Sequence, residues 1–135
     1  MPDCVLRVAG PDFPVDEFLR SSSLQPCKVF RTGEATVRGK ATESGFNVVV
    51  GTGETLVDQV SSTILFLRNN AHELDRLRSF PGAEKPVLDF SLYRRDVLAQ
   101  YDSFPLELVR LAAEFGLAIA LSQYAAQQEE NVSAV

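Results

Sequence analysis

The sequence predicts a single α+β domain, a two-layer sandwich in which helices lie mainly on one face of a mixed or antiparallel sheet. Three observations lead there. Two strand-like runs follow one another with no helix between them, which a doubly wound fold does not tolerate. Val87 to Tyr93 alternates apolar and polar residues, the period-2 mark of a sheet buried on one face only. Helical periodicity is concentrated in residues 55–80 and in a second stretch after Pro105.

The elements follow in order. Cys4 to Ala9 reads as a first strand, stopped by Gly10-Pro11. After Pro14, the spacing of Val15, Phe18 and Leu19 predicts a short helix, with Asp16 and Glu17 at its positive end and Ser21-Ser22-Ser23 beyond it. Cys27 to Arg31 and Phe46 to Val50 read as strands. Glu34 to Glu43, with Gly39 and mixed charge, reads as a mobile connection in which Ala35-Thr36-Val37 can pair at an edge. Leu56, Val60, Ile64, Leu67, Ala71, Leu74 and Leu77 form one apolar stripe, opened by Thr55 as N-cap; Asn69-Asn70 leaves one long helix and two consecutive ones equally open. Pro105 reads as the first residue of another helix, with Ser103 near the cap and Gly116 closing it. Leu117 to Tyr124 is the last strand. Residues 1–126 are thus one domain, and 127–135 a polar, frayed tail.

Composition narrows the function classes. With 135 residues, 45% apolar and 23% charged, a packed core is within reach and disorder is a poor description. A net charge of −5 argues against a dedicated nucleic-acid or anionic-membrane binder, because both require a basic face. No apolar run is long enough for a membrane span, and the first twenty residues lack a signal-peptide pattern, so a cytoplasmic location is expected. Two cysteines are too few for a disulfide framework; Cys4 and Cys27 are read as buried, inert thiols.

Chemistry-bearing motifs are scarce. His72 is the only histidine and has no partner at metal-ligand spacing, so it reads as a surface or partly packed residue. Gly51-Thr52-Gly53 lacks both the Walker lysine and the third glycine of a dinucleotide fingerprint, and reads as a turn. No nucleophile elbow or calcium loop is present. No catalytic residue, metal site or cofactor is assigned. The feature with functional content is a polar sheet face. If Leu88, Phe90 and Leu92 meet the helices, Asp89, Ser91 and Tyr93 point the other way, joined by Ser122 and Tyr124 of the last strand and Arg7 of the first. Tyrosines among hydrogen-bonding groups make a contact patch.

The order of residues resembles an uncharacterised bacterial family known only as a domain of unknown function. The resemblance is carried by Gly10 and Phe13, Pro26, Gly33-Glu34, Ser44-Gly45, the leucine-rich stretch from Leu56 to Leu77, and the helix, glycine and apolar strand from Leu106 to Tyr124. Phe46 stands where a tryptophan is often expected. The resemblance implies a fold and a bacterial cytosolic setting, and no active site. The expected function is a non-enzymatic domain binding another protein, in its sharpest form an immunity-type neutraliser of a toxin with a basic active site. The alternative is a small-molecule module or weak enzyme with a pocket at the sheet edge near Arg7, Asp89 and Tyr93. Self-association as a homodimer through an exposed edge strand fits either.

Overall fold

In the computed structural model, which describes residues 3–125, the chain is an α+β sandwich. β1 (Asp3–Gly10), β2 (Lys28–Phe30), β5 (Ser44–Thr52), β6 (Glu84–Tyr93) and β7 (Ala118–Tyr124) form a sheet of order β2-β5-β1-β6-β7. All neighbours are antiparallel except β6 and β7, which are parallel and joined through α4 (Leu106–Glu114). α1 (Val15–Arg20), α2 (Leu56–Asn69) and α3 (Ala71–Ser79) complete the helical layer.

β1 explains the one-sidedness. Its residues alternate strictly, with Cys4, Leu6 and Val8 buried towards the helices and Arg7 exposed on the other face. Phe46 and Val48 from β5 and Leu88, Phe90 and Leu92 from β6 add to the same buried side. Below α1 the core is aromatic, with the Phe18 ring stacked on Phe46 at 5.6 Å and set edge-on to Phe80 at 5.1 Å. The Arg76 guanidinium covers Phe18 at 4.2 Å, donates to the Phe18 carbonyl at 2.8 Å and pairs with Glu73 at 2.6 Å. On the surface, Arg31 grips both oxygens of Asp16 at 2.7 and 2.9 Å and ties the end of β2 to α1. That contact holds the Asp16 carboxyl below its usual range.

The periodic stretch is two helices. Asn70 ends α2, where its backbone N–H and its side-chain Nδ2 both donate to the Phe66 carbonyl at 3.0 and 2.9 Å, and α3 starts at the next residue. Thr55 caps α2 by accepting from the Asp58 N–H at 3.1 Å. Four readings need correction. Gly51 and Thr52 are not a turn but the end of β5, and only Gly53 takes a positive φ. Residues 34–43 contain a hairpin, β3 (Ala35–Thr36) with β4 (Gly39–Lys40), forming a small sheet of its own and not an edge pairing on the main one. Pro105 precedes the helix in an extended conformation (φ −65°, ψ 151°), and no side chain caps α4. Cys27 is exposed, lying just outside β2 with its thiol donating to the Asn47 carbonyl at 3.3 Å. The tail at 127–135 lies outside the described residues.

α2 lies directly on β5 at Gly51. A Cβ there would overlap the Thr63 hydroxyl and come within 2.7 Å of the Gln59 carbonyl, so only glycine lets the helix descend this far. Gly51→Ala is therefore expected to destabilise the fold by about 1–3 kcal/mol. Thr63→Ala in the same chain is expected to recover only part of that, because the Gln59 carbonyl stays in the way. Urea unfolding of the wild type and the two variants checks both statements.

Candidate functional site

The sheet face away from the helices is uncovered among the described residues. It carries all six residues that the sequence singles out, and the structure divides them into groups. At the centre, Asp89 faces Val5 of β1 and Ala120 of β7 in the strand register. Its carboxylate is almost entirely covered and both oxygens are engaged. Oδ2 accepts from Arg7 Nε at 3.0 Å, and Oδ1 accepts from Ser122 Oγ at 2.7 Å. A buried carboxylate needs such partners, since an unpaired one would be costly to desolvate. With the Asn47 amide oriented so that its oxygen faces Arg7, the orientation that satisfies both ends of the group, Arg7 donates from Nη1 to that oxygen at 3.1 Å and the Asn47 nitrogen donates to the Phe46 carbonyl. The chain Asn47, Arg7, Asp89, Ser122 thus crosses four adjacent strands, β5-β1-β6-β7, with side chains alone.

At one end of the same face, the Tyr93 and Tyr124 rings lie 6.2 Å apart, and the two residues are 39% and 52% exposed. The parallel register that sets Tyr93 opposite Tyr124 makes this pair. At the opposite end a trough of about 500 Å³ is lined by Arg7, Phe30, Asn47, Glu84, Lys85 and Val87. It lies beside a β-bulge, where the pairing of β1 with β6 shifts between Arg7 and Ala9 and Lys85 takes a left-handed φ of 43°. Asp89 and Tyr93 do not line it.

Ser91 behaves differently from the other five. Its backbone is what is engaged: the N–H donates to Gln59 Oε1 at 3.3 Å and the carbonyl accepts from Gln59 Nε2 at 2.7 Å. Gln59 is fully buried and takes the place of a strand partner where the pairing of β1 with β6 has run out. Sequence reasoning missed it, although Gln59 and Thr63 fall between Leu56, Val60 and Leu67 on the apolar stripe, the signal that could have found them.

The thiols have separate characters. Burial pushes the Cys4 thiol up to about 12 from an ordinary 9.0. The Thr63 hydroxyl beside it pulls the other way, and has no hydrogen bond of ordinary geometry itself. His72 is exposed, and no cluster of three or more His, Cys, Asp or Glu suited to a metal occurs among the described residues. No helix there is long and apolar enough to cross a membrane.

A family profile described as a domain of unknown function, DUF4279, matches residues 3–126. The chain belongs to that family. No match was found among curated proteins or among solved structures. The DUF4279 match covers all five strands of the main sheet, and with them the whole uncovered face.

Two measurements probe this region. A double-mutant cycle on Arg7→Ala and Asp89→Ala is expected to return a coupling of about 0.5–1 kcal/mol, because Arg7 is half in water. Asp89→Ala alone is expected to cost about 1–3 kcal/mol through the partners it leaves behind. For Cys4 the sign is fixed by the raised value. Above about pH 9 the unfolded chain releases the thiol proton while the folded chain keeps it. Stability is therefore lost with rising pH, at up to about 1.4 kcal/mol per unit towards pH 12. Comparing alkaline denaturation of the wild type with Cys4→Val isolates this loss, which the variant should lack. At pH 8 iodoacetamide should label Cys27 in the native protein and Cys4 only after unfolding.

Proposed function

We propose that this chain is a non-enzymatic protein-binding domain that presents the uncovered sheet face to its partner. The observation that carries the reading is that the six residues lie along an open face and do not converge on a cleft. Their one carboxylate is spent on two internal donors, while the exposed groups are the tyrosine pair, Val49 and the free edge of Arg7. Such a surface suits a protein partner, since tyrosine offers apolar area with a hydrogen-bonding tip at low entropic cost. A net charge of −5 favours a basic partner and speeds its approach. In its narrow form the reading is a bacterial cytoplasmic immunity protein that neutralises a toxin with a basic active site.

The test is a pull-down of the tagged chain from its native lysate against Tyr93→Ala/Tyr124→Ala, both first found folded by circular dichroism. A stoichiometric, basic protein retained by the wild type and released by the double variant supports the reading. Equal retention by both removes the open face from it, and no retention by either overturns it.

A second reading draws on the trough beside Arg7, where Lys85, Asn47 and the Phe30 ring could receive a small anionic molecule. Thermal shift against a metabolite panel is its test. A ligand that raises the melting temperature of the wild type but not of Lys85→Ala would move the function there.

A further inference from the structure

We infer that β7 is a pairing edge for a second copy of this chain, making a two-fold dimer whose ten-stranded sheet runs through both subunits. The inference is independent of the open-face reading, because it uses the rim of the sheet and not its surface. β7 is the last strand of its sheet, and no strand among the described residues pairs with its outer side. Its sequence, Ala-Ile-Ala-Leu-Ser-Gln-Tyr, contains no charge and no proline over seven residues. Proteins ordinarily protect a free edge with such residues. The opposite edge is protected: β2 is three residues long, carries Lys28, and is flanked by Pro26 and Arg31.

The direction of the free hydrogen-bonding groups fixes the register. The Tyr124 carbonyl accepts from the Arg94 N–H at 2.9 Å, so Tyr124 turns its backbone groups back towards β6. By alternation Ser122 and Ala120 do the same, and Ile119, Leu121 and Gln123 turn theirs outward. An antiparallel pair centred on Leu121 sets Leu121 against its own copy and Ile119 against Gln123 of the other copy. All the residues in those pairs are outward-turned, which gives roughly six backbone hydrogen bonds. A like-charged residue in this strand would meet its near equivalent across the axis; none is there.

A second feature lies on the same rim. Glu107 of α4 pairs with Arg68 of α2, so that flank of α4 faces α2. A separate flank of α4, which packs on β7 as well as on α2, carries Leu106, Val109 and Ala113 at helical spacing, with Leu106 60% and Val109 43% exposed. In the two-fold arrangement these stripes approach each other above the joined strands. A closed isologous pair consumes the one open edge of each copy, and the protected β2 edges stop further growth.

The experiment is sedimentation velocity on the full chain over a wide concentration range, with two variants. Gln123→Pro removes an outward N–H without touching a bond to β6, and Val109→Lys sets two like charges near the axis. The wild type is expected to be a dimer. Gln123→Pro should raise the dissociation constant at least about tenfold, since two bonds are lost by symmetry. Val109→Lys should weaken the dimer in a salt-dependent way. Amide exchange of the wild type supplies a reading that needs no variant: Ile119, Leu121 and Gln123 should be protected at high concentration and exchange faster on dilution. A wild type that stays monomeric overturns the inference, whether its edge is open or covered by its own chain. So does a dimer in which those three amides show no concentration-dependent protection.

Discussion

The descent of α2 onto β5 at Gly51 is the constraint on which the remaining architecture depends. Because no side chain intervenes, Gln59 and Thr63 reach the plane of the sheet, and Gln59 can satisfy the Ser91 backbone where β1 no longer does. That places the Tyr93 end of β6 in a fixed position beside β7, and with it the parallel register that brings the tyrosines together. The helices then share one side, and the other is left to be stabilised by the sheet itself. Arg7, Asp89 and Ser122 do this by bridging strands with hydrogen bonds in place of a second apolar layer.

How much of this was legible in the sequence depends on the range of the interaction. The alternation of Leu88, Phe90 and Leu92 with Asp89, Ser91 and Tyr93 is local, and it separates the two sides of β6. The meeting of Tyr93 with Tyr124 required knowing that β6 and β7 are parallel neighbours, which no local pattern encodes. Asn70 illustrates the intermediate case. Asparagine competes with helix continuation, yet the break became definite only through its two bonds to the Phe66 carbonyl. Cys27 was misjudged because the second strand begins one residue later than the apolar run implies, and the thiol falls outside it.

The hairpin of β3 and β4 was hidden for another reason. Its strands are two residues each and bury nothing, so they leave no hydrophobic pattern; the Thr36 hydroxyl bonded to the Gly39 carbonyl at 2.6 Å and the left-handed Gly39 hold the turn. Charged residues at 34–43 identified a solvent-facing connection but not its form. A pocket near Arg7 was anticipated, but its lining by Phe30, Asn47 and Lys85 in place of Asp89 and Tyr93 was not, since it arises beside a bulge and from strands far apart in sequence.

The central position of β1 bears on the order in which the molecule assembles. Val5 is flanked by Val49 and by Asp89, so the first strand acquires its second neighbour only once the chain has reached β6, some eighty residues later. A chain emerging from the ribosome can join β1 to β5 and dock α2, but that intermediate has a raw edge where β6 belongs. Closure by β6 is a long-range event with a large loop entropy, which sets a slow step for a domain of this size. β7 then adds last, laid alongside β6 by the return through α4, so the rim of the finished sheet is also the youngest part of the fold.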